Sequence, residues 1–177
     1  MSEVPGAPAP PSADPGAPAG SSDAPGAPPR PSAVLFACGQ NVVRSPMAAA
    51  IARQLFPRSM YVRSAGVRPG DPDPFTVAVM AEIGLDVSTH KPRAIEDLED
   101  MNFDLVVTLA PEAHHRVLDL TRTEGLDVEY WPIVDPTAVT GSRAQIMDAY
   151  RAVRRELERR IRARFGLPPA VSEGDAG

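Results

Sequence analysis

Cys38 is followed six residues later by Arg44, and the two bracket a short loop, Gly39-Gln40-Asn41-Val42-Val43, that runs on into Ser45-Pro46. A cysteine can attack an electrophilic centre, and a guanidinium presents a planar fork that grips two oxygens of a phosphate-like group. Far along the chain, Asp135-Pro136 supplies a carboxyl able to move a proton. Cysteine-x5-arginine alone is a weak signal, because a cysteine closing a buried strand is commonly a packing residue. The setting narrows it. "AVLFA" reads as a buried strand, and "PMAAAIARQLF" as a helix with Ser45 as its N-cap and Pro46 as its first residue. A loop curling into a helix N-terminus can aim several backbone N–H groups into one concavity, which with the helix dipole makes a site for a tetrahedral oxyanion. The same field favours thiolate over thiol.

The elements that must position these residues follow from the hydrophobic pattern. Met47, Ile51 and Leu55 share one face of the first helix, and Pro57 stops it. "MYVRSAG" (60–66) reads as a second strand, followed by the loop "VRPGDPDP". A helix over 74–85 opens on Pro74 and closes on Gly84, and "FDLVVTLA" (103–110) is a third strand, apolar throughout as central parallel strands tend to be. "PEAHHRVLDLTR" supplies the next helix and "DVEYWPIV" (127–134) the fourth strand. In 142–165 Ile146, Tyr150, Val153, Leu157 and Ile161 fall at helical spacing, with arginines on the opposite side. Strands alternating with helices imply crossover units, hence an α/β doubly wound fold of three layers with a four-stranded parallel sheet. Ligands bind at the carboxyl ends of such strands, so Cys38 and Asp135, 97 residues apart, are expected to face one crevice.

The 177 residues suit one domain, with a net charge of −5. That field favours neither nucleic acid nor an anionic membrane surface as partner, so any anion must be bound locally. The single cysteine cannot form an intrachain disulfide, and the first thirty residues carry no apolar leader, so the cytoplasm is the expected compartment. "PGAP" recurs at 5–8, 15–18 and 25–28. Residues 1–31 therefore read as a disordered, partly polyproline tail, with a docking arm for an unknown partner domain as the alternative. Residues 32–166 form the domain and 167–177 a C-terminal tail. His114 and His115 lack metal-ligand spacing to acids or cysteine, and neither metal nor cofactor is expected. Asp71 and Asp73 read as loop polarity, Asp104 as a turn residue, and Ser64 as either structural or near the loop.

"VLFACGQNVVRSPMAAAI" resembles the phosphate-binding loop of the low-molecular-weight protein tyrosine phosphatases, Cys-x-Gly-Asn-x-Cys-Arg-Ser-Pro-Met-Ala after an apolar strand. "RSAG", "GLDVSTHKPRAI", "FDLVVTLA" and "DPT" fall in the order that family shows, over about residues 32 to 165. The resemblance implies that Cys38 attacks phosphorus, Arg44 binds the transferring phosphoryl group, and Ser45 stabilises the Cys38 thiolate. It further implies that Asn41 holds the loop in shape, supported by His90, and that Asp135 is the general acid. The loop positions Gly39, Gln40, Val42 and Val43 would line the phosphate, and the substrate would be a phosphorylated protein or small aryl phosphate.

Three positions depart from that pattern. Gln40 stands where the family has glycine, and Val43 replaces a second loop cysteine, which exposes Cys38 to irreversible oxidation. Thr137 follows Asp-Pro where tyrosine-specific members carry an aromatic, with Tyr130 and Trp131 on the strand before. Arsenate reductases related to these phosphatases share the loop, and a single-cysteine version would need an external low-molecular-weight thiol. A regulatory module that binds oxyanions or senses oxidants through Cys38 is a third reading.

Overall fold

The computed structural model describes residues 29–171. Strand β1, Ala33–Cys38, is buried along nearly its whole length. Its side chains alternate between two cores: Val34, Phe36 and Cys38 join one cluster, Leu35 and Ala37 the other. A strand apolar on both faces must be covered on both. The remaining elements are α1 (Arg44–Leu55), β2 (Tyr61–Gly66), α2 (Pro74–Ala81), β3 (Leu105–Thr108), α3 (Pro111–Leu120), β4 (Asp127–Tyr130) and α4 (Arg143–Phe165), with 3₁₀ turns at Ile95–Asp97 and Pro136–Ala138.

All strand pairs are parallel, in the order β2-β1-β3-β4. The larger core gathers α1, α2 and α4 on one face, where Met47, Ile51, Tyr150, Val153, Leu157 and Ile161 bury the predicted apolar stripes. The other core lies under α3, through Ala113 and Val117. Each fully buried Phe, Leu or Ile in these layers contributes about 1.5–3 kcal/mol relative to exposure. The chain leaves β1 toward β2 in one direction and reaches β3 in the other, which opens a crevice at the carboxyl end of β1.

Several boundaries differ from those expected. Ser45 is not the N-cap of α1: the helix starts at Arg44 behind Val43, without a side-chain cap, because the Ser45 hydroxyl is engaged in the loop. Helix α2 stops at Ala81 rather than 85, where Gly84 turns left-handed (φ 76°) and the Leu85 N–H reaches back to the Met80 carbonyl. Helix α3 ends at Leu120, before the expected Arg122. β3 and β4 are four residues each, shorter than 103–110 and 127–134. Beyond β4, Trp131 and Ile133 still donate to the Thr108 and Leu109 carbonyls, but Pro132 has no N–H to continue a ladder. Helix α4 keeps its expected span behind Ser142, whose hydroxyl and Gln145 cap each other reciprocally. The expected tail falls mostly outside the described residues, as do residues 172–177.

Candidate active site

The loop after β1 is held from behind by Asn41. Its backbone is left-handed (φ 56°), a conformation asparagine tolerates better than other side-chain-bearing residues. The fully buried amide saturates itself. Nδ2 donates to Ser45 Oγ (2.9 Å) and Ser64 Oγ (3.0 Å), and Oδ1 accepts from the Arg93 N–H (3.0 Å). His90 Nε2 lies 2.9 Å from the Asn41 carbonyl oxygen. Burial above all, then the neighbouring Arg53 and Arg93 charges, holds the His90 pKa below its usual value, so the ring favours its neutral form and Nε2 can donate to that carbonyl.

Cys38 Sγ lies 2.9 Å from Ser45 Oγ. Because Asn41 donates into that oxygen, the single Ser45 proton is left for Cys38 or for the Ala65 carbonyl at 3.3 Å. A thiolate would draw it toward sulfur. The carbonyls of Cys38, Gly39 and Gln40 accept from the N–H groups of Val67, Arg68 and Gly70, at 3.1, 3.1 and 2.9 Å. In a trans peptide the N–H points opposite its carbonyl, so the amides of Gly39, Gln40 and Asn41 turn the other way, as an anion cradle requires. The loop lies so close to β2 that a Cβ on Gly66 would stand 2.7 Å from the Asn41 nitrogen.

Arg44 opens α1 and is nearly buried; its Nη1 donates to the Ile133 carbonyl (2.9 Å) and sits 3.4 Å from that of Leu109. Its Nη2 lies 3.6 Å from Asp135 Oδ2. The Asp135 carboxylate accepts from the Thr137 N–H (3.0 Å) and Oγ1 (2.6 Å), which fixes it at the start of the 3₁₀ turn. Cys38, Arg44 and Asp135 thus share one pocket of about 590 Å³, whose floor includes Gly39, Gln40, Val42 and Val43. Asn41, Ser45 and His90 stand behind the loop rather than in the pocket.

Other residues line the pocket that were not expected in it from the sequence. Glu112, in the first turn of α3, brings Oε1 to 2.5 Å from where a Cβ on Gly39 would stand. Its position just after β3 was the available signal, since first helical turns at that end of a parallel sheet face the crevice. Asp73 is more than loop polarity: it caps α2 through the Phe75 N–H (2.8 Å) and accepts from the Tyr150 hydroxyl. Burial first, then Asp73, pushes the Tyr150 pKa up, so the phenol stays protonated. Phe75 and Tyr150 are the aromatics of the pocket. Tyr130 and Trp131 are not: Tyr130 stacks on His114, and Trp131 packs against Phe36 and Phe165. His114 also bonds Thr108 Oγ1 (2.9 Å). Asp104 ties down the start of β1 through the N–H groups of Ser32 and Ala33.

A family model described as low molecular weight phosphotyrosine protein phosphatase matches residues 33–167. Among curated proteins, an arsenate reductase of Staphylococcus aureus (strain Newman) is 31% identical over 112 residues, 63% of this chain and 84% of its own length. A glutaredoxin arsenate reductase of Synechocystis is 27% identical over 128 residues, 72% and 92% of the two chains. A solved arsenate reductase in the phosphate binding state superposes with a TM-score of 0.63 at 26% identity, covering 75% of this chain and 95% of that one.

Proposed function

The chain belongs to the low-molecular-weight phosphotyrosine protein phosphatase family, and we propose that within it the chain is a cysteine-dependent phosphatase of phosphomonoesters, acting on phosphotyrosine or aryl phosphates. The observation that carries this reading is the shared pocket of Cys38, Arg44 and Asp135. In the proposed sequence the Cys38 thiolate attacks phosphorus and the ester P–O bond breaks, while Asp135, protonated, gives its proton to the leaving oxygen. Water then attacks phosphorus, the P–S bond breaks, and Asp135 takes the proton back. Loop amides and the Arg44 fork carry the charge on the equatorial oxygens, and Ser45 receives the thiolate when it leaves. Phe75 and Tyr150 offer the apolar wall for an aryl group.

The test is aryl phosphate hydrolysis. Cys38→Ser is expected to lose roughly 10³-fold or more in kcat. Asp135→Asn is expected to lose about 10²–10⁴-fold, most for poor leaving groups. Normal turnover by Cys38→Ser would overturn the mechanism, and equal losses across leaving groups would remove Asp135 from the acid role.

The names of the curated relatives favour a second reading, arsenate reduction. Reduction of arsenic(V) to arsenic(III) takes two electrons, and the sequence offers one thiol. Cys38 would displace hydroxide from arsenate to form an S–As bond. An external thiol would then attack the Cys38 sulfur, forming a disulfide as the S–As electron pair passes to arsenic and arsenite leaves. A second external thiol would restore Cys38. Arsenate-dependent oxidation of an added small thiol, faster than aryl phosphate hydrolysis, would place this reading first.

A further inference from the structure

Behind the loop, away from the pocket, lies a hollow of about 260 Å³ lined by Arg53, Arg63, Lys91 and Arg93 together with Ser64 and His90. Among the described residues none of these four cations makes an ion pair, whereas on α4 Arg159, Arg160, Arg162 and Arg164 all do. Four like charges gathered without a carboxylate, in a chain of net charge −5, repel one another at close range. The repulsion is felt: burial and then the Arg63 charge depress the Arg53 pKa. Arg53 is nevertheless fixed in place, its Nε and Nη2 both donating to the Val62 carbonyl, which leaves Nη1 outside that contact with its direction set by the same guanidinium plane. A rigid guanidinium with cationic neighbours and a serine hydroxyl is the composition of an oxyanion site.

We propose that this hollow binds a second, compact phosphate-type oxyanion, orthophosphate or pyrophosphate, independently of the pocket that holds Cys38. An occupant would offset much of the charge of the four cations and accept from Arg53, Arg63, Lys91 and Arg93. It would also bear on the catalytic loop, because three residues of the hollow are among those that grip Asn41: the Arg93 N–H on Oδ1, Ser64 Oγ on Nδ2 and His90 Nε2 on the carbonyl. The site is therefore placed to sense phosphate and to stiffen the loop. The proposal does not rest on the phosphatase reading, since it concerns binding at a surface that reading does not use.

The test follows the His90 imidazole resonance of the full chain by NMR during titration with pyrophosphate, with orthophosphate, and with sodium chloride at matched ionic strength. Backbone resonances of Gly39 and Gln40 report the Cys38 pocket in the same samples. In the wild type both phosphates are expected to move His90 saturably, pyrophosphate at the lower concentration, and sodium chloride is not. Arg63→Ala/Lys91→Ala should weaken the His90 response by about tenfold or more while Gly39 and Gln40 respond as before. Arg63→Lys/Lys91→Arg, which keeps the charges, should retain most of it. If His90 moves with an unchanged midpoint in the alanine variant, the movement comes through the Cys38 pocket and the proposal fails. An equal response to sodium chloride overturns it as well.

Discussion

At the scale of single residues, the loop depends on Asn41 more than on any other side chain behind it. One residue supplies a left-handed turn, two donated bonds that are buried and two accepted ones that are partly so. Asn41→Gly keeps the turn and loses the side-chain bonds; Asn41→Ala loses both, adding about 1–2 kcal/mol of backbone strain. Denaturant unfolding is expected to rank the wild type above Asn41→Gly and Asn41→Gly above Asn41→Ala, with turnover falling in both variants. Equal stabilities for the two variants would show that the turn is not strained. The types of these residues were legible in the sequence, and so was the convergence of Cys38, Arg44 and Asp135 on one crevice. The N-cap expected of Ser45 does not form, because a serine before a proline looks the same whether its hydroxyl caps a helix or faces a sulfur seven residues back; the contact with Cys38 that the family resemblance implied is the one it makes.

At the scale of elements, strands and helices stand where hydrophobic periodicity placed them, and the errors lie at their ends. Apolar side chains continue past β3 and β4 because Leu109, Ala110, Trp131 and Ile133 stay buried after the strands end, which periodicity does not register; Val134, read as part of β4, is exposed. The clamp between α2 and α4 was also invisible: Glu82 accepts from Arg151 and Arg154, whose positions lie 69 and 72 residues away. The Arg151 bond foremost, then Arg154, holds the Glu82 pKa down at about 2. A folded pKa below the unfolded value means that the folded state binds fewer protons, so this contribution is present above about pH 4.5 and is lost as the pH falls toward 2. Glu82→Gln is therefore expected to flatten the acid limb of the stability profile between those values. An unchanged acid limb would assign the acid sensitivity to other carboxylates.

At the scale of the whole molecule, the packed body reaches a little beyond its first strand. Arg30 Nε donates to the Phe165 carbonyl (2.9 Å), with its guanidinium 4.8 Å from the Phe56 ring centre, and Ser32 joins Asp104 and Tyr61. A chain starting at Pro29 is expected to keep the full-length thermal midpoint. One starting at Ala33 is expected to melt roughly 4 °C or more lower, at about 2–4 °C per kcal/mol for a domain of this size. Equal midpoints for all three would show that these N-terminal contacts contribute nothing. By itself the sequence determined the α/β layering and the meeting of Cys38 with Asp135, because strands alternating with helices impose a parallel sheet whose carboxyl ends gather the loops that carry both residues. Only the tertiary structure decided that Glu112, Phe75 and Tyr150 complete the pocket, and that four cations from α1, β2 and the segment after α2 gather behind it. Those juxtapositions join residues from separate elements, and they depend on how the layers pack rather than on any spacing along the chain.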